Sequence, residues 1–114
     1  MTRIVIHPGI CGFTAIVEVR KISRRKVIVS IVSQCEKVSQ MSETIKEMDG
    51  MEAVKPLLTC AIYQQAGEAK LHTSCPVPSG ILKAIEVETG LALPKDISMH
   101  FEVSEDKGED SIPM

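Results

Sequence analysis

Tryptophan is absent, and the aromatic share is 3%, carried by Phe13, Tyr63 and Phe101. So few flat rings exclude a base-stacking platform for single-stranded nucleic acid. They also leave a core built from aliphatic side chains and methionine. A surplus of positive charge is missing as well: the formal net charge is −2 over 114 residues. With little to neutralise phosphates, nucleic acid is not an expected partner. The basic cluster from Arg20-Lys21 to Arg24-Arg25-Lys26 reads instead as a solvated hairpin tip. No apolar run approaches the ~20 residues needed to cross a bilayer, so no membrane partner is expected. The N-terminus lacks the apolar stretch and cleavage pattern of a signal peptide, which makes the cytoplasm the expected compartment.

Catalytic signatures are equally scarce. The seven glycines are scattered and form no phosphate-binding loop. No Gly-x-Ser-x-Gly segment marks a hydrolase. No Cys-x-x-Cys pair marks a short metal or redox motif. Disulfides between the four cysteines are disfavoured in a reducing compartment. What remains for them is burial, metal ligation or thiol chemistry.

Hydrophobic periodicity supplies the fold. Ile4-Val5-Ile6 is a strand-forming run broken by Pro8-Gly9. Phe13, Ala15, Val17 and Val19 alternate on one face of a second strand, and Val27, Val29 and Ile31 on a third. A polar turn at Ser23 to Arg25 joins the last two as an antiparallel hairpin. Past Cys35 the period lengthens: Val38, Met41, Ile45 and Met48 predict a helix ended by Asp49-Gly50. Met51, Val54 and Leu58 continue at helical spacing with a break at Pro56. A short helix over 59–66 stops at Gly67, and Cys75-Pro76-Val77-Pro78 opens another that stops at Gly90. Ile97, Met99, Phe101 and Val103 alternate with Ser98, His100 and Glu102 as a final strand. The expected fold class is α+β, a small antiparallel sheet of three to four strands with helices packed on one face. One domain spans 1–103, followed by a polar, acidic tail over 104–114.

Cys11, Cys35 and Cys75 share a placement. Cys11 lies between Gly9 and Gly12, Cys35 between the third strand and a helix, and Cys75 at a helix start. Unpaired N–H groups and the positive end of a helix dipole favour thiolate over thiol at such junctions. Thiolate is the form that binds zinc or iron. The three cysteines therefore read as one metal or iron–sulfur site, with His72 or Cys60 as the fourth ligand. Cys60, beside Ala61-Ile62, reads equally as a core residue. His7 could reach the same site, whereas His100 falls on the polar face of its strand.

In this order the features resemble the NifU/IscU-type iron–sulfur scaffold proteins over about positions 4–90. The matching elements are Cys11-Gly12 before a strand, Cys35 after a three-stranded sheet, and His72 with Cys75 opening a later helix. Phe13 stands where that family carries an Asp, and Thr73-Ser74 separate the His from the Cys. The resemblance implies a cluster or metal scaffold or carrier, with sulfur-donor or cluster-acceptor proteins as partners. The segments His7 to Phe13 and Ser74 to Pro78 also resemble a small uncharacterised prokaryotic family. The leading expectation is a non-enzyme that binds zinc or an iron–sulfur cluster. A thiol enzyme or sulfur-transfer protein using Cys75 or Cys35 is the alternative, with His72 as a base for Cys75. A structural or interaction module with incidental thiols is a third reading.

Overall fold

Short reversals let successive alternating segments bury their apolar sides together. In the computed structural model, which describes residues 1–105, β1 (Thr2–Ile6), β2 (Ala15–Lys21) and β3 (Lys26–Ser33) pair antiparallel in chain order. A short β4 (Glu47–Asp49) adds on the far side of β3. The register sets Ile4 opposite Val17, and Val17 opposite Ile31, so one face is apolar across three strands. Ala15, Val17, Val19, Val27 and Val29 are fully buried there.

The helices cover that face alone. They are α1 (Glu36–Thr44), α2 (Ala61–Glu68) and α3 (Val77–Glu88). Val38 and Met41 from α1, Ile62 and Ala66 from α2, and Val77, Ile81, Ala84 and Ile85 from α3 close a single core with the strands. Gly80 lets α3 approach β1, since a Cβ there would come 2.9 Å from Ile6 Cγ1. The chain is thus an α+β protein, with its antiparallel sheet layered under helices. Among the described residues no helix is long and apolar enough to cross a membrane.

Two helices end in the same device. At α3 the Leu91 N–H bonds the Glu86 carbonyl at 2.8 Å and the Gly90 N–H bonds Val87, with Gly90 at φ 81°. At α2 the Leu71 and Lys70 amides repeat the pattern on Ala66 and Gly67, with Lys70 in the left-handed region at φ 63°. Both are Schellman closures, which satisfy the last carbonyls and turn the chain sharply away.

Five sequence expectations need correction. The final strand over 97–103 does not form: the segment is irregular, exposed and outside the sheet. The fourth strand is β4 instead. It draws Met48 out of the expected helix, because the outer edge of β3 offers partners that a further helical turn cannot match. Val29 N–H bonds the Lys46 carbonyl at 2.8 Å, and Val27 pairs with Met48. The stripe Met51, Val54, Leu58 is no buried helix face: two 3₁₀ turns, Gly50–Val54 and Leu57–Thr59, leave all three side chains exposed. Glu52 is buried in their place, where its carboxylate accepts the Ala61 N–H at 2.8 Å and the Lys55 ammonium at 2.6 Å. Finally, Phe13 precedes β2 and is exposed, and α2 runs through Gly67 to Glu68. Of the tail expected over 104–114, residues 106–114 lie outside the described range.

Candidate functional site

Each junction cysteine is held by a different local device. Cys11 sits in the reversal between β1 and β2, where the Gly12 N–H bonds the Gly9 carbonyl at 2.9 Å. Gly9 and Gly12 both take positive φ, 95° and 72°, which only glycine adopts without strain. This tight turn presents Cys11 and Ile10 to solvent. His7 and Thr14 brace its base through a 3.3 Å contact between Nδ1 and Oγ1. The His7 ring is thereby engaged with Thr14.

Cys35 is the residue before α1. Its N–H donates to Ser33 Oγ at 3.2 Å and its carbonyl accepts the Ser39 N–H at 2.9 Å, while its own side chain makes no capping bond. Cys75 closes a turn that begins at His72, donating its N–H to the His72 carbonyl at 3.0 Å. Pro76 and Pro78 then start α3. Cys35 and Cys75 are both half-buried against the edge of the core, and all four cysteines are free.

These three thiols come from segments remote in sequence, yet Cys35 and Cys11 lie near enough to Cys75 to act on it. Burial pushes the Cys75 thiol above its ordinary pKa, and the Val77 N–H pulls the other way by bonding its sulfur. Cys35 and Cys11 each add a further upward push, because a second and third negative charge nearby disfavour a thiolate at Cys75. Cys60 takes no part. It is buried in the core ahead of α2, where its electrostatic neighbour is Lys55. His72 is exposed on the turn and contributes its backbone to Cys75 rather than a side-chain hydrogen bond.

Among the described residues, no group of three or more His, Cys, Asp or Glu side chains is arranged to hold a metal ion. Cys11 and Cys35 thus stand within electrostatic reach of Cys75, but the three thiols do not form a coordination shell. One shallow cleft of about 140 Å³ lies between α1 and α2, lined by Met41, Thr44 and Gln65 among others. A wider groove of about 300 Å³ follows the outer edge of β3. Neither touches a cysteine. At the thiol end Cys11 is exposed, and Cys35 and Cys75 are half-buried.

A family model, described as a family of unknown function (DUF6951), matches residues 2–101. The chain belongs to that family. No curated protein and no solved structure matches it. The family match covers all three junction cysteines and extends past α3 to Phe101.

Proposed function

We propose that the thiol end takes up a thiophilic metal ion or an iron–sulfur cluster as cargo, through Cys11, Cys35 and Cys75, and passes it on. The observation that carries this reading is that Cys11 and Cys35, from two other junctions of the fold, lie close enough to Cys75 to push its pKa up. Their order also supports it. Cys11 precedes β2, Cys35 follows β3, and Cys75 precedes α3, which is the order on which the resemblance to NifU/IscU-type scaffolds rests. The thiols would have to draw together on binding, and His72, exposed on the turn that leads to Cys75, is the candidate fourth ligand. Cys60 would have to leave the core to contribute.

Thiols release protons when they bind metal. Because Cys75 is held protonated above its ordinary range, uptake rises with pH and liberates protons. The same protonation argues against Cys75 as a standing nucleophile in the free protein. A thiol-transfer role draws its support from exposed Cys11 beside half-buried Cys75, and the same experiment separates it.

Reduced chain is titrated anaerobically with cobalt(II), with thiolate-to-metal absorption and proton release as readouts. One ion per chain is expected for the unaltered chain and for Cys60→Ser. Cys11→Ser, Cys35→Ser and Cys75→Ser should each abolish stoichiometric uptake. Undiminished uptake by all three variants would end the proposal. No uptake, together with one rapidly alkylated thiol, would move the assignment to thiol transfer.

A further inference from the structure

The segment after α3 is the least settled part of the molecule on physical grounds. Ile97 is 51% exposed, Met99 86%, Phe101 97% and Val103 86%, and Leu91 and Leu93 are exposed as well. The apolar side chains of 97–103 all fall on one parity, so an extended chain carries them on a single side. That is the pattern of a half-buried strand, left uncovered among the described residues. Soluble chains rarely leave such a stripe open, and an open one marks an interaction surface. The family match runs through Phe101, so this stripe is part of the family's own domain.

The sheet offers the matching vacancy. Among the described residues β1 lies at the end of the strand order and pairs with β2 alone, which leaves the other edge of Thr2–Ile6 unpaired there. The opposite edge of the sheet is less suitable. β4 covers β3 over Lys26–Ile28, and the Ser33 carbonyl already accepts the Ser39 hydroxyl. An extended segment that adds to a free edge gains main-chain hydrogen bonds and, on alternate positions, side-chain contacts.

We propose that residues 97–103 of one copy add antiparallel to the edge of β1 in a second copy, and reciprocally, so that the chain dimerises by exchanging C-terminal strands. Direction follows from charge. Glu88, in the last turn of α3, accepts the Thr2 hydroxyl and the Lys21 N–H, each at 2.8 Å, so the segment leaves its own chain beside the start of β1. Folding back on that same β1 would run it parallel and carry Glu102 away from Arg3 and Lys21. Antiparallel addition to a second copy instead brings Glu102 and Glu105 to the start of the partner's β1, where Arg3, Arg20 and Lys21 are exposed. The apolar side then extends the row begun by Ile4 and Ile6, against the flank of α3.

Sedimentation of the full chain over a concentration series, hydrogen exchange, and carbodiimide coupling in a mixture of isotopically heavy and light chains test this together. Expected are a species of twice the chain mass, slow exchange over both 2–6 and 97–103, and heavy–light bonds joining Glu102 or Glu105 to Lys21. Phe101→Asp should raise the dissociation constant at least about tenfold, since a buried phenylalanine is worth roughly 1.5–3 kcal/mol. Its circular dichroism should be unchanged. Arg3→Glu should weaken the dimer and Arg3→Glu with Glu102→Arg restore it. Three results would each overturn the proposal: a monomer with freely exchanging 97–103, a monomer with that segment protected, or a dimer indifferent to Phe101→Asp.

Discussion

β2 and the segment 97–103 carry the same pattern, an apolar residue at every second position, and meet opposite fates. Ala15, Val17 and Val19 are sealed between sheet and helices, while Met99, Phe101 and Val103 stand in solvent. Composition does not separate them; if anything, the exposed segment is the more hydrophobic. The difference lies in delivery. β2 is set against β1 by the glycine turn at Gly9–Gly12 and against β3 by the hairpin at Ser23–Arg25, so two partners come with it. Segment 97–103 follows a helix closure at Gly90 that turns the chain away from its own core. Alternation specifies a face to be covered, and the connections decide whether anything covers it.

The largest effect expected from this contrast comes from placing one charge in each segment. Val17→Asp puts a carboxylate where no water or partner reaches it, at a cost of several kcal/mol, and should leave the chain unfolded. Phe101→Asp, measured where the chain is monomeric, should shift unfolding by no more than about 0.5 kcal/mol, as for other exposed positions. Urea unfolding followed by circular dichroism reads both. Comparable losses in the two variants would place 97–103 in the core and erase the contrast.

The same contrast marks what could be read from sequence. The three leading strands, the hairpin and α3 with its Pro76 start and Gly90 stop were legible, because their signals are local and mutually consistent. β4 was not: Met48 sits at helical spacing after Ile45, and only the unpaired edge of β3 explains why it becomes a strand residue. Nor were the 3₁₀ turns, since the buried group there is Glu52, chosen for the Ala61 amide it caps rather than for hydrophobicity. At the candidate site, the junction placement of Cys11, Cys35 and Cys75 was legible from flanking Gly, Pro and changes of period. The exclusion of Cys60 was suggested by its apolar neighbours alone. That His72 offers its carbonyl to Cys75 depends on turn geometry that spacing does not carry.

A smaller effect lies at the boundary between the two regions, where Glu88 ties the last turn of α3 to Thr2, Lys21 and the N-terminal ammonium. Burial pushes this carboxyl up, but the Lys21 and Thr2 bonds and the terminal charge outweigh it and hold its pKa below the ordinary value. A depressed carboxylate stabilises the fold above its unfolded pKa of ~4.3 and loses that contribution as pH falls through the lower folded value. Glu88→Gln should therefore cost about 1–2 kcal/mol at neutral pH. It should also flatten the acid limb of stability, read as the urea midpoint from neutral to strongly acidic solution. Hydrogen exchange should show fraying move back from Gly90 into α3. An unchanged acid limb would mean that this carboxylate does not fasten the boundary.

The smallest effect is expected at the other end of α3 and bears on the proposed thiol site. Cys75 is raised chiefly by burial, against the opposing Val77 N–H, with Cys35 and Cys11 adding to the rise. Its alkylation, resolved from the other cysteines by mass spectrometry, should reach half-maximal rate at a pH above the ~8.5 of a free thiol. The sign for stability is the reverse of that at Glu88. A raised thiol contributes fully below its unfolded pKa and is lost as pH rises through the folded value. Cys35→Ser and Cys11→Ser should each lower the Cys75 midpoint slightly and leave the burial contribution behind. Unlike the charge placed at Val17, both changes keep side-chain shape, and Cys11, which is exposed, gives the cleaner electrostatic reading because Cys35 packs against the core. If the Cys75 midpoint ignored both substitutions, the three thiols would be separate surface groups, and their convergence could not support a common cargo.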